Sequence, residues 1–238
     1  MSTPPTIERW DEPLGASARG TLIVLAGRGE STTVYTRFAR RLSADAYRVR
    51  VVHDVSESPR SSASLVRGLV AESDALPVVL IGSDAGALLA LELASGARSG
   101  VAAVVAAGLP SSLGILADAH TQLDARTADP AHRRLLQDAD ALDPLALSRD
   151  VPRELTLPVP TNLRVPVLAI HGASDVVAGV TEVQAYYGRL PNARVAVVHE
   201  GRHDILNDVT HRSVAATIVL FLEEVRAGIP TLELSTAL

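Results

Sequence analysis

The chain alternates between continuous apolar runs and amphipathic stretches. Six runs rich in β-branched residues predict strands, four of them strong (residues 21–25, 77–81, 101–107 and 165–170) and two weaker (47–52 and 194–198). Continuous rather than alternating apolarity is typical of strands that are covered on both faces, as in a parallel sheet.

Helical patterns separate these runs. Ser31 is placed to cap a helix that carries Val34, Phe38 and Leu42 on one face, and a second helix begins near Ser64. Three more helices are predicted at residues 87–94, where the pattern is apolar nearly all round, 180–187 and 213–226. Alternating strands and helices predict an α/β fold, a three-layer sandwich around a mostly parallel central sheet.

One long segment, residues 111–163, interrupts the alternation. It contains several prolines and short leucine-bearing pieces such as HRRLLQ and DPLAL. We interpret it as a small helical cap inserted into a single domain that spans residues 1–238. The alternative is a plain surface excursion, but structureless connections of this length are uncommon in compact domains and are usually functional.

Composition restricts the partners. The 238 residues fit one domain, and a net charge of −5 without a run of basic residues offers nothing to bind a nucleic acid backbone or an anionic membrane. The chain has no cysteine, which excludes a disulfide, a thiolate nucleophile and a cysteine-ligated zinc. No histidine cluster has metal-site spacing and no phosphate-binding glycine motif is present, so we expect no cofactor and a small-molecule substrate.

The two ends of the chain add little. The first twenty residues resemble neither a signal peptide nor a membrane anchor, so a cytoplasmic protein is expected. The segment from Gly228 onward fits either a loose tail or an oligomer contact, which leaves a homo-oligomer open.

The most informative motif is GSDAG at residues 82–86, between a predicted strand and the most apolar helix. Its spacing is that of a nucleophile elbow, in which small flanking residues allow a sharp turn that exposes the middle side chain. The middle residue is Asp84. The alternative is a glycine-rich turn in which Asp84 only caps the following helix.

Two later strands end in residues that complement Asp84. The segment HGASD places Asp175 after one strand, and GRHD places His203 after the next. Because ligands of parallel sheets bind at the carboxyl ends of the strands, we expect Asp175 to orient the ring of His203 toward Asp84.

The stretch from Gly20 to Gly228 resembles the α/β-hydrolase superfamily, and GRGE, YRVRVV, HGASD and GRHDILND resemble its lysophospholipase and monoacylglycerol-lipase branch. That branch implies a serine ester hydrolase, whereas G-x-D-x-G is similar to epoxide hydrolases and to haloalkane or haloacetate dehalogenases. Those relatives usually follow the nucleophile with Trp or Arg and carry Tyr or Trp in the cap. Here Ala85 follows, and residues 111–163 contain neither Tyr nor Trp.

The resemblance implies an oxyanion hole formed by the backbone amides of Arg28, in the turn AGRGE, and Ala85. We therefore predict a hydrolase with an Asp84, His203 and Asp175 triad that acts on a small or lipid-like epoxide, alkyl halide or ester.

Two alternatives stay open: a non-covalent acid/base enzyme that uses Asp84 and His203, and an inactive binding module. Tyr186 and Tyr187 are the phenols considered for protonating an epoxide, although we expect both to pack at the surface.

Overall fold

A computed structural model describes residues 7–110, 119–138, 140–155, 157 and 162–230. Within these residues the strands are Ile7–Trp10 (β1), Thr21–Leu25 (β2), Arg48–Val52 (β3), Val78–Ser83 (β4), Ala103–Ala107 (β5), Val167–Gly172 (β6) and Ala193–Val198 (β7). The α-helices are Thr36–Ala44 (α1), Pro59–Glu72 (α2), Ala85–Ala94 (α3), Ala119–Arg126 (α4), Pro130–Leu136 (α5), Val180–Tyr187 (α6) and His211–Ala227 (α7). Short 3-10 helices occur at Thr32–Tyr35 and Ala146–Ser148.

The strands form one sheet in the order β1-β3-β2-β4-β5-β6-β7. All neighbouring strands from β3 to β7 in this order are parallel, and only β1 pairs antiparallel, along β3. The predicted α/β class with a mostly parallel sheet is confirmed. The sequence analysis did not predict β1, a strand of four residues at the sheet edge whose side chains are half-buried or exposed rather than continuously apolar.

Both faces of the sheet are covered, as the continuous apolar runs predict. Along β4, the fully buried Leu80 packs in an apolar cluster with α2 and α3, whereas Val79 and Ile81 pack in a second cluster with α1 and α7. Successive side chains of a strand point to opposite faces, so a central strand between two helical layers needs apolar residues at every position.

The helices agree with the prediction in position, and all but α6 differ from it in their first residues. The helix α6 has the predicted bounds, while α2 begins at Pro59, five residues before Ser64, and α3 begins at Ala85. A 3-10 turn precedes α1, and Val34, Phe38 and Leu42 are buried together as predicted.

Residues 111–163 contain α4, α5 and the second 3-10 helix, but residues 111–118 and 158–161 lie outside the described part, so the limits of the cap stay a prediction. Most of the segment from Gly228 onward, residues 231–238, also lies outside the described residues, so whether it is a tail or an oligomer contact stays open. In the part of the chain that the structure describes, no helix is both long and apolar enough to cross a bilayer.

The two-sided burial of the central strands gives a stability prediction. Leu80→Ala removes a fully buried side chain from β4, and we expect it to lower the free energy of unfolding by about 2 to 5 kcal/mol. Val195→Ala on the edge strand β7, where Val195 is 37% exposed, is the control and should cost far less. Chemical denaturation of both variants measures the difference, and equal losses would contradict the layered core.

Candidate active site

The turn between β4 and α3 consists of Asp84 alone. Its backbone has φ 48° and ψ −120°, a region that residues with a side chain rarely adopt and that costs about 1 to 3 kcal/mol. The flanking glycines allow the sharp turn: a Cβ on Gly82 would lie 2.2 Å from the carbonyl oxygen of Gly86, and one on Gly86 would lie 2.1 Å from a backbone oxygen of β2. The spacing of GSDAG therefore follows from the close approach of β2, β4 and α3.

The carboxylate of Asp84 does not cap α3; it makes no capping hydrogen bond, so the capping alternative is wrong. Instead it accepts hydrogen bonds from Arg28. The backbone amide and Nε of Arg28 donate to Oδ2 of Asp84 at 2.9 and 2.8 Å, and Nη2 donates to Oδ1 at 2.9 Å. The remaining guanidinium nitrogen, Nη1, donates to the carbonyl of Arg149 at 2.8 Å.

The loops after β6 and β7 bring the other two predicted residues to Asp84. Nε2 of His203 lies 3.2 Å from Oδ1 of Asp84, and Nδ1 of His203 lies 2.8 Å from Oδ2 of Asp175. The exposed fractions of Asp84, His203 and Asp175 are 1%, 0% and 7%. The structure thus places the imidazole between two buried carboxylates, in the order that the sequence analysis predicts.

Burial and charge compete over the protonation of these groups. Burial alone would raise the pKa of Asp84, but the charge of Arg28 and the hydrogen bonds from His203 and Arg28 hold that pKa well below its usual value. Burial alone would lower the pKa of His203, but Asp175 and then Asp84 raise it to about 10. Near neutral pH the site therefore contains an ionised Asp84 beside an imidazolium.

Half of the predicted oxyanion hole faces this carboxylate. The amide of Arg28 donates to Oδ2 of Asp84. In the resting site this amide therefore binds a carboxylate of the protein itself rather than an anion of a substrate. The role of the Ala85 amide stays a prediction. The side chain of Arg28 was missed by the sequence analysis, which considered only its backbone; the signal available was an arginine between two glycines at the end of a buried strand.

A second ion cluster supports the first and was also missed. Arg126, at the end of α4, is fully buried; its Nη1 donates to Glu30 and Asp204 at 3.2 Å each, and its Nη2 donates to the carbonyl of Arg28 at 2.7 Å. The end of α4 also accepts backbone hydrogen bonds from the loop that carries His203, through the carbonyls of Ala125 and Arg126. Arg126 therefore joins the Arg28 turn, the His203 loop and residues 111–163.

Two buried acids accept hydrogen bonds from backbone amides of the turn that contains Arg28. Oδ2 of Asp54 accepts from the amide of Gly29 at 2.6 Å, and Oε2 of Glu30 accepts from the amide of Gly27 at 2.9 Å. Burial, together with the negative charge of Asp204, raises the pKa of Glu30 to about 8. The charges of Arg126 and His132 outweigh burial and lower the pKa of Asp204, so of the two acids that contact Arg126 it is Asp204 whose surroundings favour the anion.

The two phenols considered in the sequence analysis do not lie at the surface. Tyr186 and Tyr187, at the end of α6, are 8% and 1% exposed and belong to the apolar core, so the expectation that they pack at the surface is wrong. A cavity of about 620 Å³ lies between α2 and the end of α3, and Asp84, His203 and Asp175 do not line it.

Among the described residues, no group of three or more histidine, aspartate or glutamate side chains is arranged to hold a metal ion.

No protein-family model and no curated protein sequence matches the chain. Solved structures do match. The monoacylglycerol lipase of Paleococcus ferrophilus aligns with a TM-score of 0.73 and 15% identity over 94% of this chain and 100% of the lipase. A soluble variant of the Saccharomyces cerevisiae monoglyceride lipase aligns with a TM-score of 0.74 and 16% identity over 92% and 91% of the two chains. The enol-lactonase of Burkholderia xenovorans aligns with a TM-score of 0.70 and 18% identity over 92% and 97%.

The chain has the α/β-hydrolase fold. The matches extend over nearly the whole length of each protein, and the strand order with its antiparallel first strand agrees with the fold. At these identities the likeness concerns the fold, so the chemistry of this α/β-hydrolase-fold protein has to be argued from its own side chains.

The second ion cluster gives a prediction for this α/β-hydrolase fold. Arg126→Met removes the cation that neutralises buried Asp204, so we expect the free energy of unfolding at pH 7 to fall by about 3 to 5 kcal/mol. The matched control is Arg41→Met, which breaks an exposed pair with Asp45 and should cost about 1 kcal/mol or less. Denaturation at one pH compares the two, and similar midpoints would show that Arg126 does not hold the loops together.

Proposed function

We propose that this chain is a hydrolase that attacks a saturated carbon atom with the carboxylate of Asp84. The observation that carries the proposal is the carboxylate of Asp84 at 3.2 Å from Nε2 of His203, whose Nδ1 lies 2.8 Å from a second carboxylate, Asp175. The neighbouring charges lower the pKa of Asp84 and raise that of His203, which favours the charged form of both. Attack on a saturated carbon gives an ordinary ester, which a histidine can hydrolyse by activating water. Attack on an ester carbonyl would give a less stable mixed anhydride, so an epoxide or alkyl halide fits Asp84 better than an ester.

An epoxide fits the charges of the resting site best. An oxygen of Asp84 forms a bond to a ring carbon, the bond from that carbon to the ring oxygen breaks, and the ring oxygen takes the proton from Nε2 of His203. The products of this step are a hydroxyalkyl ester of Asp84 and a neutral His203. No tyrosine is needed as the proton donor, which agrees with the burial of Tyr186 and Tyr187 in the core.

The second step restores the site. Water attacks the carbonyl carbon of the Asp84 ester while Nε2 of His203 accepts its proton, and the oxygen that becomes negative lies where the amide of Arg28 now donates to Oδ2. Loss of the diol returns Asp84 as a carboxylate and His203 as an imidazolium. Alkylation removes one of the two anions that raise the pKa of His203, so the ring becomes a base after the first step.

A second candidate function is an inactive binding module, and the contacts of Arg28 favour it. Asp84 accepts four hydrogen bonds, three of them from Arg28, and a carboxylate offers about four acceptor positions. If Arg28 never releases Asp84, the triad serves only as a buried ion network.

Isotope labelling separates the two functions. In a single turnover of an epoxide in water enriched in oxygen-18, hydrolysis at the ester carbonyl places one heavy oxygen in the Asp84 carboxylate. We expect mass spectrometry to find the label in the peptide that contains Asp84, and His203→Gln to reduce turnover by roughly 10³- to 10⁶-fold.

Asp74→Asn is the matched control. The side chain of Asp74 is 80% exposed and lies at the end of β4 opposite to Asp84, so this variant should retain activity. Diol formation with all the heavy oxygen in the product and none in Asp84 would show that water attacks the substrate directly. Absence of turnover across epoxides and alkyl halides would favour the binding module.

The protonation of His203 also predicts a pH dependence. Ring opening of an epoxide needs the imidazolium, so its rate should be level between about pH 6 and 9 and should fall as the pH passes about 10, where His203 loses its proton. Alkylation by an alkyl halide needs no proton and should not fall in this range. Pre-steady-state rates measure both, and a fall of the epoxide rate near pH 6.5 would contradict the pKa.

A further inference from the structure

Arg28 determines whether Asp84 can react. Arg28 is 4% exposed, and two of its guanidinium nitrogens bind the carboxylate in a fork at 2.8 and 2.9 Å. Together with the amide of Arg28 and the ring of His203, the fork occupies the acceptor positions of Asp84. An oxygen of Asp84 can therefore attack a carbon atom only after the fork has released it.

Release leaves the guanidinium of Arg28 without a hydrogen-bonded carboxylate. Asp54 also contributes to the charge environment of Arg28, but its oxygens accept from Gly29 and Ser56 rather than from the guanidinium. After alkylation Asp84 is an uncharged ester, so Arg28 would lack an anionic hydrogen-bond partner until the ester is hydrolysed. A buried cation without a partner is strongly unfavourable, so the reaction requires a replacement anion.

We infer that the substrate supplies this anion: it is a small electrophile, an epoxide in the first place, that carries a carboxylate next to the reacting carbon. This inference rests on the proposed function and names its substrate class. The substrate carboxylate takes the Arg28 fork from Asp84, and the freed oxygen of Asp84 attacks the neighbouring carbon. A planar guanidinium binds a carboxylate through two parallel hydrogen bonds, so one carboxylate replaces the other without loss of geometry.

The net charge of these groups is the same before and after ring opening, and Arg28 keeps an anionic partner at both stages. Before the reaction the site holds the anions of Asp84, Asp175 and the substrate and the cations of Arg28 and His203. After ring opening Asp84 is an ester and His203 is neutral, while Arg28 remains paired with the substrate carboxylate. A neutral epoxide would instead leave Arg28 unpaired at this stage.

The contacts of Arg28 also indicate the direction of approach. Its Nη1 donates to a neutral acceptor, the carbonyl of Arg149. An incoming anion displaces this carbonyl more readily than it displaces Asp84, because the carbonyl carries no charge. The exchange therefore begins at Nη1 of Arg28.

The test compares two substrates of nearly equal shape, oxirane-2-carboxylate and its neutral amide, by single turnover with oxygen-18 labelling of Asp84. We expect the wild-type chain to react with the carboxylate about 100-fold or more faster than with the amide, measured as kcat/KM. Arg28→Lys keeps a cation but loses the fork, and it should reduce this ratio to about 10-fold or less. Arg41→Lys on the exposed face of α1 should leave the ratio unchanged.

A binding measurement tests the anion site without the reaction. In Asp84→Asn the fork of Arg28 lacks its carboxylate, so acetate should raise the melting temperature of this variant more than that of the wild type, and acetamide should raise neither. Sodium chloride at equal ionic strength is the control. If Asp84→Asn does not fold, the substrate pair with Arg28→Lys decides the inference.

The outcomes separate the inference from the proposed function. Equal rates on the two substrates with label in Asp84 would overturn the carboxylate inference and leave the hydrolase intact. An undiminished preference for the carboxylate in Arg28→Lys, or no effect of acetate on folded Asp84→Asn, would also overturn it. Label from neither substrate would overturn both.

Discussion

The site depends on one constraint: four groups with alternating charge are buried together and keep one another ionised. Arg28, Asp84, His203 and Asp175 follow one another at hydrogen-bond distances of 2.8 to 3.2 Å, and none is more than 7% exposed. Burial alone favours the neutral form of each carboxylate and of the imidazole. The neighbouring opposite charge outweighs burial in each case, which lowers the pKa of Asp84 and Asp175 and raises that of His203. The same pairing that keeps Asp84 ionised also occupies its oxygens, so the proposed reaction requires an anion that takes the place of Asp84 on Arg28.

The fold brings these charges together at the carboxyl ends of its parallel strands. Asp84 follows β4, Asp175 and His203 follow β6 and β7, and Arg28 follows β2, so four separate strand ends converge on one site. Arg126 extends the network into residues 111–163 by joining the carbonyl of Arg28 to Asp204, the neighbour of His203. Movement of that helix end would consequently shift Arg28 and His203 together. This coupling gives residues 111–163 a direct physical connection to Asp84, His203 and Asp175.

Much of the fold could be predicted because the central strands are buried on both faces, and such strands appear in the sequence as continuous apolar runs such as VVLI. The strand β1 could not, since four partly exposed residues at an edge carry little pattern. The proximity of Asp84, His203 and Asp175 could be predicted because a strained turn requires the glycines around Asp84 and because strand ends share one edge. The Arg126 cluster could not: charged residues are usually exposed, and its partners are 78 to 98 positions away in the chain. The burial of Tyr186 and Tyr187 was missed because an amphipathic helix of eight residues does not reveal how deeply its apolar side packs.

The protonation state of His203 tests the central claim most directly. Nitrogen-15 chemical shifts of the imidazole, assigned by comparison with His203→Gln among the seven histidines, report whether each ring nitrogen carries a proton. The account predicts that both nitrogens of His203 are protonated at neutral pH and that the ring titrates near pH 10 in the folded protein. A neutral tautomer at pH 7.5 that titrates near the ordinary histidine pKa of about 6.5 would contradict it, because Asp84 and Asp175 would then not hold an imidazolium between them.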